Sequence, residues 1–380
     1  MKFVHVSDIH LGKKLKTIKG DLELDFYSPL KQIKEVIYEV RPNFVFICGD
    51  VFHYKNHSAD VEEIFIEFLI KIYDYVDFIF IISGNHDNEK RLYNFSLFNK
   101  FLSKGQKIFI YTGVDLMNDI KDEKLRPFSF GEVDIVFLPF LEYKLALNAF
   151  YNLDIPKEFA YSFVYSSIMR DFLQKSRGKF KFLLGHMYVE NSVLGNTEAR
   201  NYINDSYYVR LGDIDESFVY VALGHVHKFQ KIGARNIYYS GSIIPLDFGE
   251  NFDHGIIVGQ VVNNFPKIEF IKLNYKEFIT IRESKNIFDE IERNKDKFIK
   301  VIYSSLDYEI LEKIAKFDNV IKLQKEIIEE KKNLEKSTDE LIDPFDVVKM
   351  YQKYYEIEKK QDIIEEVVKY LTRIQTETLT

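Results

Sequence analysis

Five short polar clusters hold five of the chain's nine histidines, with carboxylates and an amide that could join them in binding a metal ion. Asp8-Ile9-His10, Gly49-Asp50, Gly84-Asn85-His86-Asp87, Gly185-His186 and Gly224-His225-Val226-His227 each follow an apolar run that reads as a strand. Imidazole, carboxylate and amide oxygen are borderline-to-hard ligands, suited to manganese, iron or zinc rather than to a thiolate-seeking metal. Asp8, His10, Asp50, Asn85, His186, His225 and His227 are seven candidate ligands. That is too many for one ion, and the Asp50 carboxylate could bridge two. Two ions about 3.5–4 Å apart clamp the attacking and leaving oxygens of a phosphoryl displacement and acidify a bridging water. His86 is then left to protonate the leaving oxygen or to stabilise developing charge, with Asp87 fixing its tautomer.

Position along the chain supports one convergent site. Ligands of open α/β sheets gather at the carboxyl ends of strands. Residues two apart in an extended segment point the same way, so Asp8 is expected to project with His10, and His225 with His227. A glycine before the polar residue allows a sharp turn and clears space beside it. Any one such cluster is common in structural loops; five in order at strand ends are not. His5 has the wrong parity to join Asp8 and His10 and is expected in the core. His57 and His254 are expected on the surface or in turns, and Cys48 is expected to pack within its strand.

The elements that must present these clusters alternate. Lys2–Val6, Asn43–Cys48 and Phe78–Ile82 read as strands, with helices at Phe26–Val40, from Ser58 through Ile72, and at Leu92–Leu102. This βαβαβα order predicts a largely parallel sheet. From Phe128 the strands shorten, at Val133–Leu138, Lys181–Leu184, Phe218–Leu223, Ile237–Ser240, Gly255–Val262 and Lys267–Leu273, with one helix near Glu158–Gln174. They predict a second, more antiparallel sheet packed on the first. Residues 276–325 read as a small α/β unit. Residues 326–380 contain no Gly, one Pro and dense charge, with an amphipathic stripe of Ile363, Ile364, Val367, Val368 and Leu371.

Composition narrows the functions open to such a chain. A hydrophobic fraction of 46% over 380 residues can supply a sizeable core. The single cysteine excludes an intramolecular disulfide and a Cys-rich zinc site, and it fits a reducing, cytoplasmic setting. Residues 1–8 show no signal-peptide core, and no apolar run approaches a membrane span. A net charge of −7 argues against a protein held to nucleic acid by overall basicity. Residues 326–380 hold 9 Lys and Arg against 14 Asp and Glu, so −5 of that charge belongs to the tail and −2 to the rest.

The five clusters together resemble the calcineurin-like metallophosphoesterase superfamily over roughly residues 1–275. The resemblance implies a four-layer αββα sandwich with a dinuclear site. By position it puts Asp8, His10, Asp50 and His227 on one metal, Asp50, Asn85, His186 and His225 on the other, and makes His86 the catalytic histidine. His-Leu-Gly after Asp8, His53 three residues after Asp50, and Ser240-Gly241-Ser242 leading to Asp247-Phe248-Gly249-Glu250 are similar to the SbcD nucleases, the nuclease subunits of SbcCD complexes. That similarity implies two manganese ions, with His53 positioning or activating the scissile phosphate.

It also implies a capping domain at 276–325 and a helical arm at 326–380 that binds a coiled-coil ABC ATPase of the SbcC type. Phe345, Val348 and Tyr351, followed by the stripe from Ile363 to Leu371, are the candidate contacts of that arm. A homodimer is implied as well, through the Ser58–Ile72 and Leu92–Leu102 helices, with Phe65, Phe68, Leu69, Phe95 and Phe98 as candidate contacts. Lys13, Lys14, Lys16, Lys19, Lys55, Lys90 and Arg91 flank the clusters and are candidate DNA-backbone contacts. The expected activity is a manganese-dependent DNA exonuclease and single-strand or hairpin endonuclease acting on double-strand breaks with its ATPase. A small-molecule or cyclic-nucleotide phosphodiesterase is the alternative enzyme, and a non-catalytic DNA- or ATPase-binding scaffold is the alternative of another class.

Overall fold

The computed structural model describes residues 1–100, 105–142, 157–195 and 208–326, apart from the side chains of 98–100 and 157–159. The expected arm, with Phe345, Val348, Tyr351, Ile363, Ile364, Val367, Val368 and Leu371, lies outside the described residues.

Two six-stranded sheets face each other. The first runs in the order Phe265–Lys272, Gly255–Val262, Lys2–Val6, Phe44–Cys48, Phe78–Ile82, Ile108–Tyr111. Its last four strands pair in parallel and the first two add antiparallel to the edge. The second runs Gln230–Lys231, Ile237–Tyr239, Phe218–Gly224, Phe180–His186, Val133–Leu138, Phe128–Phe130. Its four central strands are parallel, and only its two edges are antiparallel. The expectation of a second, more antiparallel sheet is therefore corrected, and the strands expected in it at Gly255–Val262 and Lys267–Leu273 belong to the edge of the first sheet instead. Every residue of Val133–Leu138 is buried, as is every residue of Phe44–Cys48. Strands covered on both faces read as continuous apolar runs and suit parallel pairing through helical crossovers. The helix Lys157–Lys175 follows Val133–Leu138 and precedes its parallel neighbour Phe180–His186.

Aromatic side chains fill the space between the sheets. Phe3, Phe46 and Phe80 of the first sheet pack with Phe137, Phe182 and Tyr220 of the second. Phe3 and Phe182 meet edge-on with ring centres 5.7 Å apart, a favoured aromatic geometry. Tyr27–Val40 and Ala59–Tyr73 cover the outer face of the first sheet with Leu30, Ile33, Ile37, Phe65, Leu69 and Ile72. Lys157–Lys175 covers the second with Tyr161, Tyr165, Ile168 and Phe172. The result is the αββα layering.

Several details differ from the sequence reading. Ser58 occupies the N-cap position but its side chain makes no capping bond. The expected Leu92–Leu102 helix is a short α-helix, Glu89–Asn94, continued by a 3-10 turn at Phe95–Lys100, and Leu102 lies outside the described residues. Phe65, Phe68, Leu69 and Phe95 are 0–4% exposed and belong to this chain's own core, so they are not free to contact a second copy. Phe98 lies outside the described side chains. Within residues 278–325, the strands Phe278–Arg282, Phe298–Tyr303 and Val320–Lys325 form a parallel sheet, with the helices Ile287–Arg293 and Tyr308–Ala315 in the two connections. That sheet and its two helices enclose a small core of Ile281, Ile291, Ile299, Val301, Ile314 and Val320. Residues 1–326 form one compact unit. Among the described residues no helix is long and apolar enough to cross a membrane.

Candidate metal centre

All five clusters emerge at the carboxyl ends of parallel strands from the two sheets, and the sandwich brings them together. Two loops of the first sheet are zipped by backbone hydrogen bonds. Asp8 N donates to Gly49 O, His10 N to Asp50 O, Leu11 N to Val51 O, and His53 N to Leu11 O, at 2.9–3.1 Å. His10, Asp50 and His53 are therefore held in one frame. Asp8, His10, Asp50 and His225 have φ of 50°, 52°, 50° and 93°. Left-handed backbone at non-glycine residues costs about 1–3 kcal/mol each and concentrates at functional sites. It also corrects the parity argument. Asp8 and His10 lie past the end of Lys2–Val6, so strand alternation does not aim them; the left-handed turns do.

The donor atoms fall into groups. Asp8, His10 and His227 each offer one ligand atom, all within 4.8 Å of one another, and so do Asp50, His186 and His225. His225 and His227 thus face different groups rather than projecting together. Asp50 spans the two, with Oδ2 3.6 Å from His10 Nε2 and 3.5 Å from His186 Nε2. Asn85 Oδ1 lies 3.1 Å from His186 Nε2. A third grouping, His10, His53 and His86, abuts the first. Glycine is required where the loops cross: a Cβ on Gly84 would collide with the Asp50 carboxylate and backbone nitrogen, and one on Gly49 would collide with His186.

This donor set fits two divalent cations. His227 Nδ1 donates to Glu250 Oε1 at 2.7 Å, which leaves Nε2 as a lone pair 3.2 Å from His10 Nε2. His186 Nδ1 likewise donates to the Cys48 carbonyl at 2.8 Å, directing Nε2 at Asp50 and Asn85. A histidine whose second nitrogen is so engaged is fixed in tautomer and ring orientation for a metal. Burial alone would raise Asp50, but the His186, His10 and His86 imidazoles outweigh it and hold its carboxyl well below the usual range. For Asp8, burial prevails and pushes the carboxyl up. Burial would lower His186, yet Asp50, Asp8 and the Cys48 carbonyl hold it at about 9. Burial takes His10 and His225 well below the ordinary histidine value. Two buried carboxylates, four imidazoles and the Asn85 amide oxygen make up the donor set.

The remaining expected residues divide. His86 Nδ1 donates to the His53 carbonyl at 2.9 Å. Asp87 does not orient it: its carboxylate accepts from Phe52 N at 3.0 Å and Gly84 N at 2.9 Å. Burial and the neighbouring Asp50 raise Asp87 to about 6. His53 Nδ1 is 3.2 Å from His10 Nδ1, and its Nε2 is 3.0 Å from Lys13 Nζ. Burial and then Lys13 lower His53 to about 3. Lys14 pairs with Glu23 at 2.6 Å, and Lys16, Lys55 and Lys90 are exposed. Lys19 is committed to Asp318 and the Phe317 carbonyl, and Arg91 to Glu62 and the His57 carbonyl, so both are ties within the fold.

His57 and His254 are not surface residues. His57 stacks on Phe52 with ring centres 3.9 Å apart and bonds the Tyr54 carbonyl and Glu62. His254 is 1% exposed, beside Glu250. His5 is buried as expected, between Tyr220 Oη and the Leu223 carbonyl. The role of Glu250 was missed from sequence. Its signal was position, because its loop follows Ile237–Tyr239 and so leaves the same edge of the second sheet as the ligand clusters. Ser7, which donates to the Asp8 carboxylate, was missed for want of any motif.

A family model for calcineurin-like phosphoesterases matches residues 1–229. The DNA double-strand break repair protein Mre11 of Methanococcus maripaludis is 25% identical over 300 residues, covering 75% of this chain and 70% of that protein. The SbcD component of the SbcCD nuclease of Staphylococcus saprophyticus is 26% identical over 259 residues, and that of Bacillus subtilis 27% over 262. Both of these cover 66% of this chain, which spans only 62–63% of their length. A dimetal phosphatase from Danio rerio aligns over 73% of this chain and 99% of its own, at 10% identity and a TM-score of 0.41.

Proposed function

The chain belongs to the calcineurin-like phosphoesterase family, and within it we propose a two-metal DNA nuclease of the Mre11 and SbcD kind. One observation carries the reading: two three-donor groups joined by the single carboxylate of Asp50, with His53 and His86 beside them. Asp8, His10, Asp50 and His227 would hold one ion, and Asp50, Asn85, His186 and His225 the other. Manganese is the proposed metal. Bound cations would polarise the phosphodiester and acidify the attacking water.

The chain's own groups supply the rest. His86 commits its Nδ1–H to the His53 carbonyl, so Nε2 is the nitrogen left to face the substrate; in the doubly protonated imidazolium it would give its proton to the leaving oxygen, and His86 would be left neutral. His53 and Lys13 lie next to it and would place the phosphate. Lys16, Lys55 and Lys90 are exposed near the clusters and would follow the DNA backbone without reading bases. The proposed reaction is exonucleolytic and single-strand or hairpin endonucleolytic cleavage at DNA ends. The proposed partners are an SbcC-type ATPase, bound by residues 326–380, and a second copy of this chain. Among the described residues, Ile70, Tyr93 and Leu97 are the large exposed apolar side chains of the two proposed dimer helices.

The test is to incubate purified protein and manganese with a blunt DNA duplex, then with bis-p-nitrophenyl phosphate and a cyclic nucleotide. Shortening of the duplex is expected. Turnover of the small esters with an untouched duplex would overturn the nuclease reading in favour of a small-molecule phosphodiesterase. Metal binding without hydrolysis of any of them would favour a scaffold.

A further inference from the structure

The Ser240-Gly241-Ser242 turn has no task in the proposed chemistry, yet it touches two of the proposed ligands. On one side it runs along the backbone of His227. Ser242 N donates to the His227 carbonyl at 3.0 Å, and a Cβ on Gly241 would collide with that same carbonyl. On the other side, Ser240 Oγ lies 2.9 Å from Ser7 Oγ, and Ser7 Oγ lies 2.5 Å from Asp8 Oδ2. Ser7, Asp8 and Ser240 are all 0% exposed.

The chemistry of these groups fixes the direction of each bond. An aspartate that binds a metal is a carboxylate and can only accept. Ser7 therefore donates to it, and the Gly241 carbonyl, 3.3 Å from Ser7 Oγ, is the longer alternative. A hydroxyl has one proton to give. With its own on Asp8, Ser7 accepts from Ser240, whose other acceptor, the Gly241 carbonyl, is 3.4 Å away. The order of donation is Ser240 to Ser7 to Asp8. A hydrogen bond to a charged acceptor is roughly twice as strong as a neutral one. The relay also crosses between sheets. Asp8 follows Lys2–Val6 of the first sheet, whereas His227 and Ser240 follow Phe218–Gly224 and Ile237–Tyr239 of the second. The backbone N–H of His225, again from the second sheet, donates to the same carboxylate, 2.9 Å from Oδ1 and 3.1 Å from Oδ2.

We infer that Ser240 is a positioning residue for the first donor group: acting through Ser7, it holds the Asp8 carboxylate in place against His227, whose backbone the same turn holds. The assignment rests on the reading of Asp8 and His227 as ligands of one ion. It gives the turn a task, which is to fix the spacing of two ligands that come from different sheets.

The test is manganese affinity of the full chain by calorimetry. Ser7→Ala should weaken binding about tenfold, the lower end of what the outer partners of metal ligands supply. Ser240→Ala should weaken it as well. The double variant should bind no worse than Ser7→Ala alone, because without Ser7 the Ser240 hydroxyl has no path to Asp8. Unchanged affinity in either single variant overturns the assignment, and so do losses that multiply in the double variant, since Ser240 would then act independently of Ser7. Ser7→Cys, which keeps a weak donor in the same place, should fall between the parent and Ser7→Ala; parental affinity there would show that donation to Asp8 does not matter. Urea unfolding without metal checks that each variant folds, and should Ser7→Ala not fold, Ser7→Cys takes its place in the comparison. If the unsubstituted protein binds no manganese, the metal reading fails and this assignment with it. Intact manganese binding that ignores Ser7 and Ser240 sinks the assignment alone.

Discussion

His86 Nδ1 lies 2.9 Å from the backbone carbonyl of His53, so the loop after one strand orients the histidine carried by the loop after another. The adjacent Asp87 turns the other way and ties the same two loops through Phe52 N and Gly84 N. Two neighbours in sequence thus hold separable tasks. His86→Asn removes the proton donor but none of the seven proposed ligands. Turnover should fall by about 10²–10⁴, the usual contribution of a positioned acid, while manganese affinity by calorimetry stays as it was. Full activity in this variant would refute the role given to His86.

Asp87→Asn should act through the fold. An amide offers one acceptor oxygen where the carboxylate offers two, and its NH₂ would face a backbone N–H. Leaving that buried donor unpaired costs about 1–3 kcal/mol, visible as a lowered midpoint in urea unfolding. An unshifted midpoint would show that the two bonds do not matter.

Gly84→Ala tests the packing of the centre. The added methyl would run into the Asp50 carboxylate and backbone nitrogen, and such overpacking costs about 1–3 kcal/mol. Because Asp50 is the proposed bridge, manganese binding should be lost along with stability. A variant that melts and binds manganese like the parent would contradict the proposed crossing of these loops.

His5 gives the protein an acid sensitivity distinct from the metal centre. Burial lowers it to about 3 from the ordinary histidine value of 6.5. The unfolded chain therefore takes up this proton first as pH falls. The stability that neutral His5 preserves is complete above about pH 6.5 and is lost progressively from there toward pH 3. Between pH 7 and pH 5 the loss is about 2 kcal/mol. His5→Gln, which cannot titrate, should lose about that much less over the same range in urea unfolding at each pH. Parallel pH profiles for the two proteins would disprove it.

The proposed arm can be separated from catalysis. Deleting residues 343–380 should abolish binding to an SbcC-type ATPase in a pull-down while manganese-dependent cleavage survives. Unfolding of the truncated chain would instead mean that the arm packs on its own protein.

The inventory of the site was legible in the sequence. Asp8, His10, Asp50, Asn85, His186, His225 and His227 announced themselves by ligand chemistry and by their place after apolar runs, and the strand Lys2–Val6 was readable to the residue. Apolar periodicity is local, so it survives being read one segment at a time. What those segments meet is not local. Alternation predicted that His225 and His227 would point together, but left-handed backbone beyond the strand end sends them to different donor groups. The second sheet proved parallel at its centre because its strands are covered on both faces, a property of the layers rather than of any one strand. Phe65 and Leu69 look alike as core or as interface until the sheet beneath them is in place. His254, expected on the surface or in a turn, is buried beside Ser242, Glu250 and Tyr275, which only the tertiary fold brings onto it. Residue type and spacing determined which chemistry was available; the packing of one sheet on the other decided which atoms face one another and what orients them.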